Sequence, residues 1–266
     1  LHFRCHRITD WQAMLKSERH EQLLELCTQR GMVTVAQAAK IFGISEMTAR
    51  RDFDELARDG GVSREHGGIR LSSGTPTAGE VPFFEKLSIR SPEKERIAHS
   101  AVGLIKEHDT VFLGPGSTCA LIARALPPMQ LRVITNSIIV LNMLQTRNDV
   151  EICALGGQYR KRSGSFVGPV AEDALAPLGI DTCFIGTNGV LGQSISCSNL
   201  EEGRLQALAC DRAAERYLVC DSSKIGQMDF FGFYNLDQMD ALITDANVSD
   251  EQCSMVLEST RIIVAD

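Results

Sequence analysis

Apolar positions recur at helical spacing three times in the first part of the chain. From Ser17 to about Arg30, Leu23, Leu26, Cys27 and Arg30 fall on one face, and Gly31 ends the run. Thr34 and Gln37 form a capping box ahead of a short helix whose inner face is Val35, Ala38, Ala39 and Phe42. Gly43 makes a turn, and Ser45 caps a third helix with Ala49, Phe53, Leu56 and Ala57 on its inner face, closed by Gly60-Gly61. Residues 62–71 read as two short extended runs around Gly67-Gly68, a β-hairpin. Helix, helix, tight turn, helix and hairpin is the order of a winged helix-turn-helix.

A Ser, Gly and Pro-rich stretch follows at 72–82. Beyond it strand-like and helix-like runs alternate. Helices are expected over Pro92–Glu107, Cys119–Leu126, Ser137–Gln145, Val167–Ala176, Leu200–Glu215 and near Asp250–Glu258. Strands are expected over Thr110–Leu113, Leu131–Thr135, Val150–Leu155, Asp181–Gly186, Tyr217–Asp221, Asp240–Thr244 and Arg261–Val264. Apolar strands alternating with amphipathic helices mean a mostly parallel sheet covered on both faces. The expected division is an unstructured extension over 1–15, a winged helix-turn-helix over 16–73, a linker over 74–91 and an α/β domain over 92–266.

Composition changes this picture little. The 266 residues are 44% hydrophobic and 23% charged, ordinary for a globular protein. No apolar run reaches the roughly 20 residues that a membrane-spanning helix needs. The nine cysteines form no CxxC pair and sit mostly in apolar runs. They read as buried thiols of a reducing cytoplasm, and neither a metal site nor a cofactor is expected.

Charge changes it more. The net charge is −7, but residues 1–73 carry 11 Lys and Arg against 10 Asp and Glu. The acidic excess therefore lies in the C-terminal part, and the helical head is free to meet a polyanion.

With Ala49, Phe53 and Leu56 inward, the third helix turns Met47, Thr48, Arg51 and, on one flank, Arg50 outward. These lie in the first turns, where a recognition helix meets base edges. Ser45, Thr48 and the cap residue Thr34 suit phosphate or base contacts near helix N-termini. Arg64 and His66 of the hairpin are expected on the DNA backbone.

In the α/β part, polar and glycine-rich turns follow several strands. Gly114-Pro115-Gly116-Ser117-Thr118 opens a helix after one strand. Its amides and hydroxyls suit a phosphate, although it is neither a Walker A loop nor a dinucleotide fingerprint. Thr135-Asn136, Gly156-Gly157, Gly186 and Asp221-Ser222-Ser223-Lys224 follow other strands. Ligands of open α/β sheets bind at such carboxyl ends.

The run Ile44-Ser45-Glu46-Met47-Thr48-Ala49-Arg50-Arg51-Asp52-Phe53 resembles the recognition-helix signature of the DeoR family of bacterial sugar-metabolism regulators, and Arg64-Glu65-His66-Gly67-Gly68 resembles its wing. Gly116-Ser117-Thr118, Thr135-Asn136-Ser137, Gly156-Gly157, Phe184-Ile185-Gly186, Asp221-Ser222-Ser223-Lys224 and Ile243-Thr244-Asp245 resemble motifs of its sensor domain, a relative of ribose-phosphate isomerase and glucosamine-phosphate deaminase folds. The pattern is broken at Gly114-Pro115, where the family often has an acidic residue, and at Gln206, where it often has lysine.

The resemblance implies a cytoplasmic repressor of a carbohydrate operon, acting on double-stranded operator DNA as a dimer or tetramer and answering to a phosphorylated sugar. The implied effector contacts are Gly116, Ser117, Thr118, Thr135, Asn136, Gly156, Gly157, Glu202 and Lys224. The rival reading is a sugar-phosphate isomerase or deaminase with a DNA-binding appendage. It would need Glu201, Glu202 or Asp181 as a base.

Overall fold

A computed structural model describes residues 32–58, 62–65, 67–71 and 83–266, together with Lys16, Arg19, His20, Gln22, Leu23, Leu26 and Cys27. The expected extension over 1–15, most of the expected linker and His66 lie outside the described residues. The chain divides into two compact units, 1–82 and 83–266.

In the first unit the seven upstream residues are helical. β1 (Met32–Thr34) leads directly into α1 (Val35–Phe42). Thr34 caps α1: its hydroxyl accepts from Gln37 N–H at 3.3 Å, and Gln37 Oε1 accepts from Thr34 N–H at 2.9 Å. Gly43 ends α1 in the left-handed region at φ 63, which only glycine adopts without strain. α2 (Glu46–Arg58) follows. β2 (Val62–Glu65) and β3 (Gly68–Leu71) form the hairpin, and β3 pairs with β1 as well. Gly68 is needed there because a Cβ would sit 2.6 Å from Val33 O. One core unites Leu23, Cys27, Val33, Phe42, Ala49, Phe53, Leu56, Val62 and Ile69.

The second unit is built on a seven-stranded sheet. Its strands are β4 (Thr110–Leu113), β5 (Leu131–Thr135), β6 (Val150–Ala154), β9 (Ile180–Ile185), β12 (Ala213–Val219), β14 (Ala241–Asp245) and β15 (Arg261–Ala265), in the order β15-β14-β12-β9-β4-β5-β6. Every neighbouring pair is parallel. All seven carboxyl ends therefore share one edge. Each sheet face has its own apolar cluster, one around Val111, Leu113, Ile122, Phe184 and Ile243, the other around Phe112, Ile134, Cys183, Leu205 and Leu218. That is the doubly covered parallel sheet that the apolar strands imply.

Three features differ from the sequence reading. The stretch expected to be linker contains α3 (Phe83–Ser88), with Phe83 buried, ahead of α4 (Ser91–Val102). The helix expected over Leu200–Glu215 stops at Asp211, and β12 starts at Ala213 because residues from Ala213 to Leu218 pair with β9. Two small antiparallel sheets add to the main one. One is the hairpin of β7 (Gln158–Arg160) and β8 (Ser165–Val167); the other joins β10 (Gly189–Leu191), β11 (Ser194–Cys197) and β13 (Phe231–Asn235). No described helix is long and apolar enough to cross a membrane.

Candidate functional site

Two places in the molecule gather the expected chemistry. In the first unit, α2 starts at Ser45: its hydroxyl accepts from Thr48 N–H at 3.1 Å and lies 2.9 Å from Thr48 Oγ1. Met47 is 76% exposed. Arg50 reaches back to Glu46 at 3.4 Å, and Arg51 forward to Glu55 at 3.6 Å. Exposed i,i+4 pairs of this kind contribute only ~0.3–0.5 kcal/mol, so both guanidiniums are available to a stronger partner.

The other face of α2 is pinned. Asp52 is buried and accepts from Arg19 Nε at 2.6 Å and Nη2 at 3.1 Å, with His20 Nε2 at 3.3 Å from it. Burial alone would raise the Asp52 pKa, but the Arg19 and His20 hydrogen bonds outweigh it and hold the carboxyl below its ordinary value. His20, Asp52 and Glu55 lie together, yet Arg19 occupies Asp52 and Lys16 pairs with Glu55, so the trio suits an ion-pair network better than a metal ion.

Arg64, expected on the DNA backbone, also has a role within the unit. Its guanidinium lies over the Phe53 ring, 5.6 Å from the centroid, and pairs with Asp54 at 2.9 Å. It therefore braces β2 against α2. The Thr34 hydroxyl is likewise engaged in its cap.

In the second unit, the carboxyl edge carries the remaining expected residues. Leu113 ends β4, and α5 (Ser117–Ala125) begins after Gly116, which stands at φ 127 with open space where a Cβ would be. The helix has no side-chain cap, and its first helical bond is Ala120 N–H to Gly116 O. The amides of Ser117, Thr118 and Cys119 are thus the open donors of a helix N-terminus, where an anion is stabilised. The loop is held from behind: Gly114 N–H donates to Phe184 O at 3.0 Å.

The neighbouring loops differ in what they leave available. Thr135 is committed to the fold, donating to Leu113 O at 2.7 Å and accepting from Ser137 N–H at 3.0 Å. Asn136 donates to Phe166 O at 2.9 Å, which fixes its amide, and its buried Oδ1 meets no donor among the described residues. Gly156 borders open space, whereas Gly157 stands at φ 146 with a Cβ position 2.7 Å from Val167 O. Glu202 is buried and accepts from Arg160 Nη1 and Ser165 Oγ, both at 3.2 Å. Lys224 ends a short 3-10 turn, Ser222–Lys224, after β12. That turn is fixed by Asp245, which accepts from Ser222 N–H at 2.7 Å. Burial pushes the Asp245 pKa up, and the Ser222 and Asn247 amides more than reverse it. Among the described residues Lys224 makes no ion pair.

Asp181, a candidate base of the enzymatic reading, is the second residue of β9, at the amino edge, and accepts from Thr110 N–H at 2.7 Å. Glu202 is tied to Arg160. Two groups escaped the sequence reading of the site. Gln206, noted only as a departure from a family pattern, is buried with its Oε1 unpartnered among the described residues and 3.6 Å from where a Gly114 Cβ would stand. Lys94, buried on α4, had no signal in the sequence beyond a helical position.

Cys119, Cys183, Cys210 and Cys220 are buried without disulfides, and burial pushes the Cys119 thiol up to about 12, which makes it inert.

The sequence matches two family descriptions, "DeoR-like helix-turn-helix domain" over residues 19–75 and "DeoR C terminal sensor domain" over residues 89–246. It is 38% identical over 252 residues to the lactose phosphotransferase system repressor of Streptococcus mutans, covering 94% of this chain and 100% of that protein. It is 39% identical over 256 residues to the repressor of the same name from Lactococcus lactis subsp. lactis, covering 95% and 100%. Similar solved structures include the sorbitol operon regulator SorC from Klebsiella pneumoniae (TM-score 0.41, 10% identity, 92% of this chain and 100% of that one). Another is ribose 5-phosphate isomerase A from Methanocaldococcus jannaschii (TM-score 0.37, 20% identity, 49% and 52%). With both units matched in chain order and repressors aligned over nearly its whole length, this chain belongs to the DeoR family and is a DNA-binding transcriptional regulator of carbohydrate metabolism.

Proposed function

We propose that the chain is a cytoplasmic repressor of an operon for sugar uptake and use, and that a phosphorylated sugar bound at the carboxyl edge of the sheet controls its grip on the operator. Ser45, Met47, Thr48, Arg50 and Arg51 are its base-reading and phosphate-reading groups, with Thr34, Arg64 and His66 at the margin of the contact. Gly116, Ser117 and Thr118 receive the phosphate, and Lys224 supplies a compact positive charge. Asn136, Gly156, Gly157 and Glu202 border the sugar, and Thr135 shapes the loop. The acting species is a homo-oligomer, dimer or tetramer, because paired half-sites require paired heads. The relatives are named for a phosphotransferase system. A regulator of such a system has a natural signal in the sugar phosphate that phosphotransfer yields.

The observation that carries the effector half is the uncapped first turn of α5, with open space above Gly116, on the same sheet edge as Lys224, which makes no ion pair among the described residues. A thermal-shift panel of glucose 6-phosphate, galactose 6-phosphate, fructose 6-phosphate and ribose 5-phosphate, each beside its unphosphorylated sugar, tests it. A binder at about 100 times its Kd adds ~2.7 kcal/mol of stability. If the free sugars raise the midpoint and the phosphates do not, the phosphate assignment is wrong.

A further inference from the structure

The first unit ends at Pro82 and the second starts at Phe83. The covalent path between them therefore enters the sensor through α3. A helix of six residues does not hold itself together in water, so its contacts dictate where it lies.

Several of those contacts reach loops that follow the carboxyl ends of β6, β9 and β12. At its start, Phe83 N–H donates to Arg162 O at 3.1 Å, in the turn of the β7–β8 hairpin. Arg160 and Ser165 of that hairpin hold the Glu202 carboxylate. In the middle of α3, Lys86 Nζ donates to Asn188 Oδ1 at 3.0 Å. Asn188 follows the carboxyl end of β9, and its own amide donates to Asp229 at 2.7 Å. At the end, the buried Lys94 Nζ donates to Lys86 O at 2.5 Å and Ile89 O at 2.7 Å, closing the last carbonyls of the segment. The turn from α3 to α4 is Arg90, a non-glycine residue at φ 54, whose guanidinium lies 3.7 Å from the buried Asp221 carboxylate on the Lys224 loop.

We propose that α3 is the strap that couples effector occupancy to operator binding, with Lys86 and Lys94 as positioning residues that transmit the state of the site without contacting the sugar. The proposal rests on the effector reading above. An anion beside Lys224 changes the charge around Arg90, Lys94 and Asp221, and a sugar competing for Glu202 loosens the hairpin that holds Phe83. Both events act on α3, and α3 is continuous with the segment leading to the recognition helix. Burial lowers the Lys94 pKa to about 8, with Asp221 opposing and Lys224, Lys86 and Arg90 adding to the fall.

The test uses the full chain as wild type, K86M and K86R. The duplex is selected from a random pool by the wild type, and the probes are the four sugar phosphates of the thermal-shift panel. In the wild type the binding phosphate changes duplex affinity by about 5–150-fold. In K86M the phosphate still binds with wild-type affinity by calorimetry, but duplex affinity no longer responds; K86R restores the response. A K86M chain that responds fully overturns the proposal, and one that no longer binds the phosphate makes Lys86 an effector contact instead. If no panel phosphate binds the wild type, the effector reading fails separately. The strap is then judged by hydrogen exchange, where adding duplex must alter protection of residues 83–88, and unchanged protection overturns it.

Discussion

Arg50 and Arg51 show how little holds the proposed reading groups back. Among the described residues each is paired with a carboxylate one turn away on its own helix, while a bidentate arginine–guanine contact discriminates by ~1–3 kcal/mol. R50A and R51A each lower operator affinity about 10-fold or more, by gel shift, with the melting midpoint unchanged. R64A behaves in the opposite sense. Removing the Phe53 stack and the Asp54 pair lowers the midpoint of the first unit, with a smaller effect on DNA that is uniform across sequences.

Asp52 gives a pH signature. Its folded pKa lies below the ordinary 3.8, so its network stabilises fully above that value and is lost as pH falls through the lowered one. D52N is therefore less stable than wild type at neutral pH, and the two converge in acid. An undiminished gap at pH 2 would contradict the network. The outward arginines and the capping box were legible because they depend on residues three or four apart. The anchoring of Asp52 was not, because Arg19 lies 33 residues away and no local period records it.

Elements were legible where one long apolar run met one period. The strands of the main sheet emerged for that reason. The β7–β8 hairpin did not, since its strands are only three residues each, too short to show a period. Its importance lies in tertiary contacts, through Glu202 and Phe166. α3 was lost in a stretch read as linker because six residues hold too little periodicity to declare a helix.

Gly157 tests the hairpin. With φ 146 and its Cβ position 2.7 Å from Val167 O, G157A destabilises the second unit by more than ~1 kcal/mol and weakens sugar-phosphate binding together with it. Lys94 tests α4. Its folded value near 8 lies below the ordinary 10.5, so the unfolded chain holds more protons between those limits and stability rises with pH there. In K94M that rise, measured as the difference from wild type by denaturant unfolding between pH 8 and pH 10.5, disappears.

Across the whole molecule, charge is divided by task. The helical head is near neutral overall but turns arginines outward, while the remainder carries 24 acidic against 16 basic residues. An acidic sensor repels duplex DNA and confines contact to the head. Operator affinity therefore falls linearly on a log–log plot against salt, with slope about −0.9 per phosphate contacted. A flat salt response would show that the head meets a protein surface rather than DNA.

The winding of the sheet has a consequence in time. Thr110, at the start of β4, is bonded to Asp181, at the start of β9, and the two are 71 residues apart. Such distant pairing forms slowly, and chains emerge from the ribosome N-terminus first. Every molecule is therefore born with its DNA-reading end complete while the centre of its own control domain still waits for a strand not yet translated. Newborn chains of this regulator therefore expose a DNA-reading head before their sensor domain has closed, and each such head is still single where paired half-sites call for two.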